Sequence, residues 1–572
     1  MADKFIIYQL FLRVFGNTNE KCIAGGPLPV NGSGKFSSVT PDILQKIKEL
    51  QVSYIWYTGI IEHATKSNFT AYGIQPDEPA LVKGEAGSPY AIKDYYDVNP
   101  YLADSVPDRM AEFEALVQRT HQAGLKVILD FVPNHLARRY HSDVLPPGTE
   151  NFGAGDNPSA VITGGTPGFY PDNNFYYLPD TQLDLSGIRP ASSYSEYPAK
   201  VTGNDCFSAI PSVHDWYETV KLNYGTDYRA GGKTHFNPVP KTWHMMLDVL
   251  GFWAFKGVDG FRCDMAEMVP VEFWHWALSR IKAEYPQMIF IAEIYNPALY
   301  DSYLRYGKFD YLYDKVGLYD NLKAVSRAHA PAASITRNWQ ALGEIQHSML
   351  NFLENHDEQR IASGFNLGDP FKAIPELLVS LMLNRAPFML YFGQEAGEQG
   401  MLAEGFSGTD GRTSIFDYCS APSVVRLLKN ALLEREQELY SIYRQLFTIA
   451  IRERAIKSGD TYDLEYANLH NPRFNEDVQF AFARRSRKSI TDIMAPDELV
   501  LIAADFTQPA NGSVWVNLPR HFFDFWNIQP DKEYDCSNLL AGNTFRSSLQ
   551  PDTCFQLPLC RYGIGIIKLT LC

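Results

Sequence analysis

Four apolar runs in this chain each end in a carboxylate-bearing segment. The segments read Asp130-Phe-Val-Pro-Asn134-His135, Gly260-Phe-Arg262-Cys-Asp264, Ile291-Ala-Glu293-Ile and Glu354-Asn-His356-Asp357. The runs leading into them, 125–129, 257–261, 288–292 and 348–353, read as strands buried on both faces, the pattern of a parallel sheet covered by helices. Acids at the C-terminal ends of such strands stand where a barrel of alternating strands and helices carries its chemistry. Two carboxyl groups flanking one bond are what glycosidic cleavage requires.

The rest of the chain fits that barrel. Residues 5–11 form an apolar run, followed by a helix with Thr40 as N-cap, Pro41 at its first position and a stripe of Ile43, Ile47 and Leu50. A second strand is expected at 53–59. Residues 108–123 are amphipathic, with Gly124 as the stop. Later helices are expected at 241–256, 272–284, 297–306, 321–328, 371–383 and 433–452, and further strands at 309–313 and 388–392. That makes about eight strand–helix units, the number that closes a (β/α)8 TIM barrel in an α/β protein.

Two stretches break the alternation. Residues 136–225 are rich in Gly, Pro, Asn, Ser and Tyr, far too long for a simple loop, and are expected to form an inserted subdomain after the third strand. From about 460, short strand candidates (478–483, 498–503, 514–516, 564–569) lie between turn residues and predict a C-terminal all-β sandwich domain. The expected division is 1–135 and 226–457 for the barrel, 136–225 for the insertion and 458–572 for the β domain, with no module ahead of the barrel.

Composition excludes several classes. The net charge of −15, without any block of like charge, speaks against a nucleic-acid surface. No apolar stretch reaches the roughly 18 residues of a membrane span. The N-terminus lacks a signal-peptide pattern, so a cytoplasmic protein is expected unless a leader has been removed. The eight cysteines show neither metal nor disulfide spacing and are expected as free thiols. Aromatics make up 13% of the chain; their faces can stack on sugars, but most are expected in the core. Trp253, Trp274 and Trp276 fall on helices flanking the barrel and are expected to pack.

The four segments, in order, resemble the four signature regions of the α-amylase family of glycoside hydrolases (family 13). The opening Tyr8-Gln-Leu-Phe-Leu-Arg13, the strand Ile55-Trp-Tyr-Thr-Gly-Ile60, Tyr90-Ala-Ile-Lys-Asp94 and the closing Tyr562-Gly-Ile-Gly-Ile566 extend the likeness over nearly the whole chain. The resemblance implies Asp264 as nucleophile, Glu293 as general acid/base and Asp357 as transition-state stabiliser. It implies that Arg262 orients Asp264, that His135 and His356 bind hydroxyls of the sugar being cleaved, that Tyr90 stacks under it, and that Arg360 belongs to the substrate-binding set. The chemistry agrees: an Arg two residues away on the same strand face lowers the pKa of a nucleophilic carboxylate. A general acid must carry a proton, which predicts a less compensated setting for Glu293.

The resemblance also implies a structural calcium ion at Asn134. The usual partner is a His shortly after the nucleophile, but here the stretch reads Met265-Ala-Glu267-Met268. Asn134 is therefore expected as an ordinary hydrogen-bonding residue, and no cofactor is expected for the chemistry. A fifth family region matches either Gln182-Leu-Asp184 or, in better register, Lys221-Leu-Asn223-Tyr224.

The expected function is retaining hydrolysis of α-glucosidic bonds in starch-like α-glucans or maltooligosaccharides. One alternative is a glucan transferase using the same site; a more distant one is a non-catalytic relative that binds a sugar or a partner. Linkage, chain length and oligomeric state are not legible in the sequence.

Overall fold

The computed structural model describes residues 3–160, 168–190, 192–400, 405–486, 498–509 and 512–571. Residues 161–167 and 191 of the expected insertion lie outside the described residues.

Eight strands close a barrel. They are β1 (Ile6–Phe11), β2 (Val52–Thr58), β3 (Lys126–Phe131), β4 (Gly260–Cys263), β5 (Ile289–Ala292), β6 (Tyr311–Tyr313), β7 (Met349–Phe352) and β8 (Phe388–Tyr391). Each pairs in parallel with its neighbours in chain order, and β8 returns to β1. Such strands are covered on both faces, and β1, β4, β7 and β8 are buried at every position.

The helices follow their local signals. Pro41–Glu49 begins where the Thr40 side chain accepts a bond from the Ile43 N–H. Arg109–Gln122 ends ahead of Gly124, whose φ of +73° suits glycine. Lys241–Phe255, Val271–Glu284 and Glu434–Arg452 agree with the sequence reading to within a residue or so. The fourth strand begins later than expected. Gly257 has φ +91° and belongs to the turn closing the preceding helix, so β4 starts at Gly260 and carries Arg262 within it. The helix expected at 297–306 is instead a 3₁₀ turn, Pro297–Leu299, and a π turn, Ser302–Tyr306. Ser334–Ala341, Pro422–Leu428 and Arg520–Trp526 are helices the sequence reading omitted.

Between β3 and β4 the chain leaves the barrel. His135–Ala137 pairs with Thr219–Lys221, and Tyr177–Leu178 with Ala199–Lys200. A small apolar cluster of its own, including Phe169, Tyr176, Leu183 and Tyr217, supports this segment.

The C-terminal β domain has two layers. An antiparallel sheet runs in the order β9 (Asp460–Asp463), β10 (Gln479–Arg485), β11 (Leu499–Asp505), β16 (Ile564–Leu571), β13 (Glu533–Asn538), β14 (Thr544–Ser548). A ribbon of β12 (Ser513–Leu518) and β15 (Thr553–Pro558) completes it. The sheet uses both faces. Phe480, Phe482, Val500 and Ile502 join the barrel's core, while the alternating Ala481, Ala483, Leu501 and Ala503 pack with Val514, Val516 and Leu557 of the ribbon. Among the described residues no helix is long and apolar enough to cross a membrane.

Candidate active site

The C-terminal ends of the barrel strands converge on one arginine. Arg262, fully buried inside β4, sits in register between Asp130 of β3 and Ile291 of β5. The ladder continues one step past both strands: the Asp264 N–H donates to the Phe131 carbonyl, and the Glu293 N–H to that of Cys263. Asp264 therefore shares a face with Arg262 two residues earlier, and Glu293 stands beside it on the adjacent strand.

The guanidinium is shared. One Nη lies 2.8 Å from Asp264 Oδ1 and 3.3 Å from Asp130 Oδ1, the other 2.7 Å from Glu293 Oε2. Its Nε donates to the Tyr313 hydroxyl at 3.2 Å. Burial pushes the Asp264 carboxyl up; Arg262 pulls it back down, while Glu293, Asp130 and Asp357 add to the rise. Burial also pushes Asp130 up to about 6, against the pull of Arg262. Trp56 Nε1 donates to Asp130 at 2.9 Å. Three acids thus pair with one cation.

Glu293 is more tightly held than its sequence suggested. Its Oε2 accepts the Met265 N–H at 2.8 Å as well as facing Arg262, and its Oε1 accepts the Tyr295 hydroxyl at 2.6 Å. Met265 adopts φ +42°, a strained left-handed conformation that aims its N–H at the carboxylate. The expected less compensated setting is therefore absent, because the guanidinium fork is wide enough to reach both neighbouring acids.

Tyr90, His135, Asp264, Glu293 and Asp357 all line one cavity of about 390 Å³, together with Tyr295 and Trp216. That volume suits a small ligand. The Asp357 side chain is 43% exposed, with Oδ2 3.2 Å from His356 Nε2. His356 is buried behind the cavity; its ring stacks on that of Tyr90 with centroids 5.2 Å apart, and its Nε2 lies 2.5 Å from the Tyr90 hydroxyl. Burial, with Arg262 nearby, pushes His356 down to about 3. Burial with Lys221 and Lys83 does the same to His135. Both imidazoles are neutral at pH 7.

Arg360 departs from its expected place. It is fully buried and bonded to Glu354 Oε2 at 2.9 Å, the Phe392 carbonyl and the Thr413 hydroxyl. It secures the loop after β7 and does not line the cavity, so it is not part of a substrate-contacting set.

Asn134 does not offer a cation site. Its Oδ1 accepts a hydrogen bond from the buried Lys221 ammonium at 2.9 Å, and the same ammonium pairs with Asp205 Oδ1 at 2.5 Å. An ammonium on the oxygens a metal would need does not fit a calcium ion. The segment that meets Asn134 is Lys221-Leu-Asn223, while Asp184 of the other candidate segment is exposed. Among the described residues three acids elsewhere, Glu62, Asp94 and Asp97, lie close enough together to hold an ion. There Arg109 Nε donates to Asp97 at 2.8 Å and Lys93 lies 3.5 Å from Glu62.

Sequence reasoning assigned no role to Asp130, Trp56, Tyr295, Tyr313, Trp216, Lys83 or Glu218. Tyr295 had a usable signal, since it stands two residues beyond Glu293. Lys83, Trp216 and Glu218 come from loops without periodicity.

The chain is similar to known proteins over much of its length. The family model described as alpha amylase, catalytic domain, matches residues 9–157 and 237–417. An alpha-amylase of Dictyoglomus thermophilum is 25% identical over 422 residues, covering 70% of this chain and 73% of that protein. A cyclomaltodextrinase of Geobacillus thermopakistaniensis is 22% identical over 467 residues, covering 79% of this chain and 63% of its own. Among solved structures, a three-domain cyclomaltodextrin glucanotransferase superposes with a TM-score of 0.63 at 16% identity, covering 99% of both chains.

Proposed function

The chain belongs to the alpha-amylase family, and from that premise we propose that it is a retaining glycosidase acting on α-glucosidic bonds of starch-like glucans or maltooligosaccharides through a glycosyl–Asp264 intermediate. The carrying observation is that Asp264, Glu293 and Asp357 line one cavity. Asp264 and Glu293 follow adjacent strands, which run about 4.7–4.9 Å apart. Retaining enzymes need their two carboxyls about 5–5.5 Å apart. In this reading Glu293 protonates the leaving oxygen and Asp264 attacks the anomeric carbon. Asp357 steadies the developing charge. The seven described cysteines form no disulfide with one another, which supports a cytoplasmic setting.

Transfer to a sugar acceptor is the second reading. It is favoured by Tyr295, which lines the cavity beside Glu293 and offers an aromatic face for an acceptor sugar in place of water. Maltotriose separates the two. Glucose and maltose as sole products, released in the α configuration, mean hydrolysis; longer oligosaccharides mean transfer. Products of inverted configuration would overturn Asp264 as nucleophile.

No cation is proposed at Asn134, because Lys221 supplies the positive charge there. A chelator should leave both activity and Tm nearly unchanged. A fall of many degrees with EDTA, restored by Ca²⁺, would show that another ligand set binds a metal.

A further inference from the structure

The cavity holds a charged pair that bond cleavage does not need. Lys83 Nζ lies 2.9 Å from Glu218 Oε1, and the two side chains are only 9% and 5% exposed. Both residues line the same cavity as the three acids. The second carboxylate oxygen, Glu218 Oε2, is buried without a hydrogen-bond partner. A buried ion pair breaks even at best, and a buried acceptor left empty is costly until a donor fills it. An α-glucan brings no charge for this pair to neutralise, but it brings hydroxyl groups.

The surroundings suit a sugar ring. Trp216 and Phe416 line the cavity with the pair, and aromatic faces stack on sugars. Trp216 also packs against His135, with ring centroids 5.0 Å apart. His135 is the residue placed at the sugar being cleaved; Glu218 directly precedes strand Thr219–Lys221, which pairs with the strand of His135, and Lys83 reaches it from the loop after Pro79–Leu81.

We propose that Lys83 and Glu218 form a recognition site for vicinal hydroxyls of the glucosyl unit adjacent to the one carried by Asp264, on its non-reducing side. Glu218 Oε2 accepts from one hydroxyl, and the Lys83 ammonium donates to its neighbour. The enzyme then prefers to cleave off a maltosyl unit over a single glucosyl unit. This rests on the proposed function above.

The test compares kcat/KM for α-maltosyl fluoride and α-glucosyl fluoride. In the wild-type protein the maltosyl compound should be favoured by about tenfold or more, the worth of hydrogen bonds to charged groups. Maltosyl fluorides lacking single hydroxyls on the outer ring should lose that advantage at two adjacent positions only. Glu218→Gln, and separately the double change Lys83→Met with Glu218→Met, should bring the ratio toward one, chiefly through KM. A wild-type ratio near one, an unchanged ratio in a folded variant, or indifference to every deoxygenation would each overturn the proposal. The wild-type and deoxy-sugar measurements decide it even where a variant does not fold. If neither fluoride is consumed by the wild type, it is the reading of Asp264 and Glu293 that fails, and this one with it.

Discussion

Glu293→Gln should reduce starch cleavage by about 10³-fold or more, at the strong end of what a general acid contributes. The change is nearly isosteric. The amide oxygen can keep the bonds from the Met265 N–H and Arg262, while the amide nitrogen faces the Tyr295 hydroxyl, which can turn to accept. The fold should therefore hold. An α-glucosyl fluoride, whose leaving group needs no proton, should still glycosylate Asp264. The intermediate should then accumulate, because water lacks its base, and azide should release it as α-glucosyl azide. Mass spectrometry of the protein and analysis of the released sugar check both steps. Full activity on starch in Glu293→Gln would sink the assignment.

Arg262→Ala should cost on the order of 10²-fold or more in turnover, the usual effect of losing one preorganised electrostatic partner. The change should also weaken the fold, since Arg262 is fully buried and faces three carboxylates. Removing one side of a buried ion pair typically costs about 3–5 kcal/mol, so a lower Tm is expected as well. The pH profile separates the two effects. Arg262 pulls the Asp264 pKa down, so its loss raises that pKa, and the acid limb of kcat/KM should move to higher pH. Arg262→Lys should recover part of the stability and less of the turnover, because an ammonium cannot span two carboxyls as the planar fork does. Near-normal turnover in folded Arg262→Ala would show that this residue is only structural.

The barrel was legible because its strands are short apolar runs and its helices carry caps and stops that act locally, as at Thr40 and Gly124. Where those signals compete, the sequence misled. At 257–261 a run that looks like one strand is half helix-closing turn, because Gly257 takes up the left-handed turn. At 297–306 apolar spacing alone did not reveal the 3₁₀ and π turns. Asp264 was legible because i, i+2 spacing on a strand puts it on the face of Arg262, whereas Tyr90 and Asp357 lie outside the barrel strands and were legible only through the family resemblance. Arg360 misled because Asp357, three residues earlier, lines the cavity while the arginine's own side chain turns inward to Glu354. Lys83, Trp216 and Glu218 were invisible because loops meet only through tertiary packing. Lys221 belongs to a legible motif, but its ammonium reaches Asn134 only through the pairing of His135–Ala137 with Thr219–Lys221.

The shared guanidinium has one more consequence, for the electrical balance of the reaction itself. On the proposed roles, Asp264 loses its negative charge when it becomes an ester. In the same step Glu293 gains one by giving its proton to the departing sugar. Both carboxyl groups pair with the same cation, so the total charge seen by Arg262 is unaltered as the bond breaks. Negative charge merely crosses from one prong of the fork to the other, over a span set by adjacent strands. When water enters, it crosses back. A dry, rigid site can tolerate such an exchange without rearranging its surroundings, and the barrel needs no moving part near Arg262 to accommodate either half of the cycle.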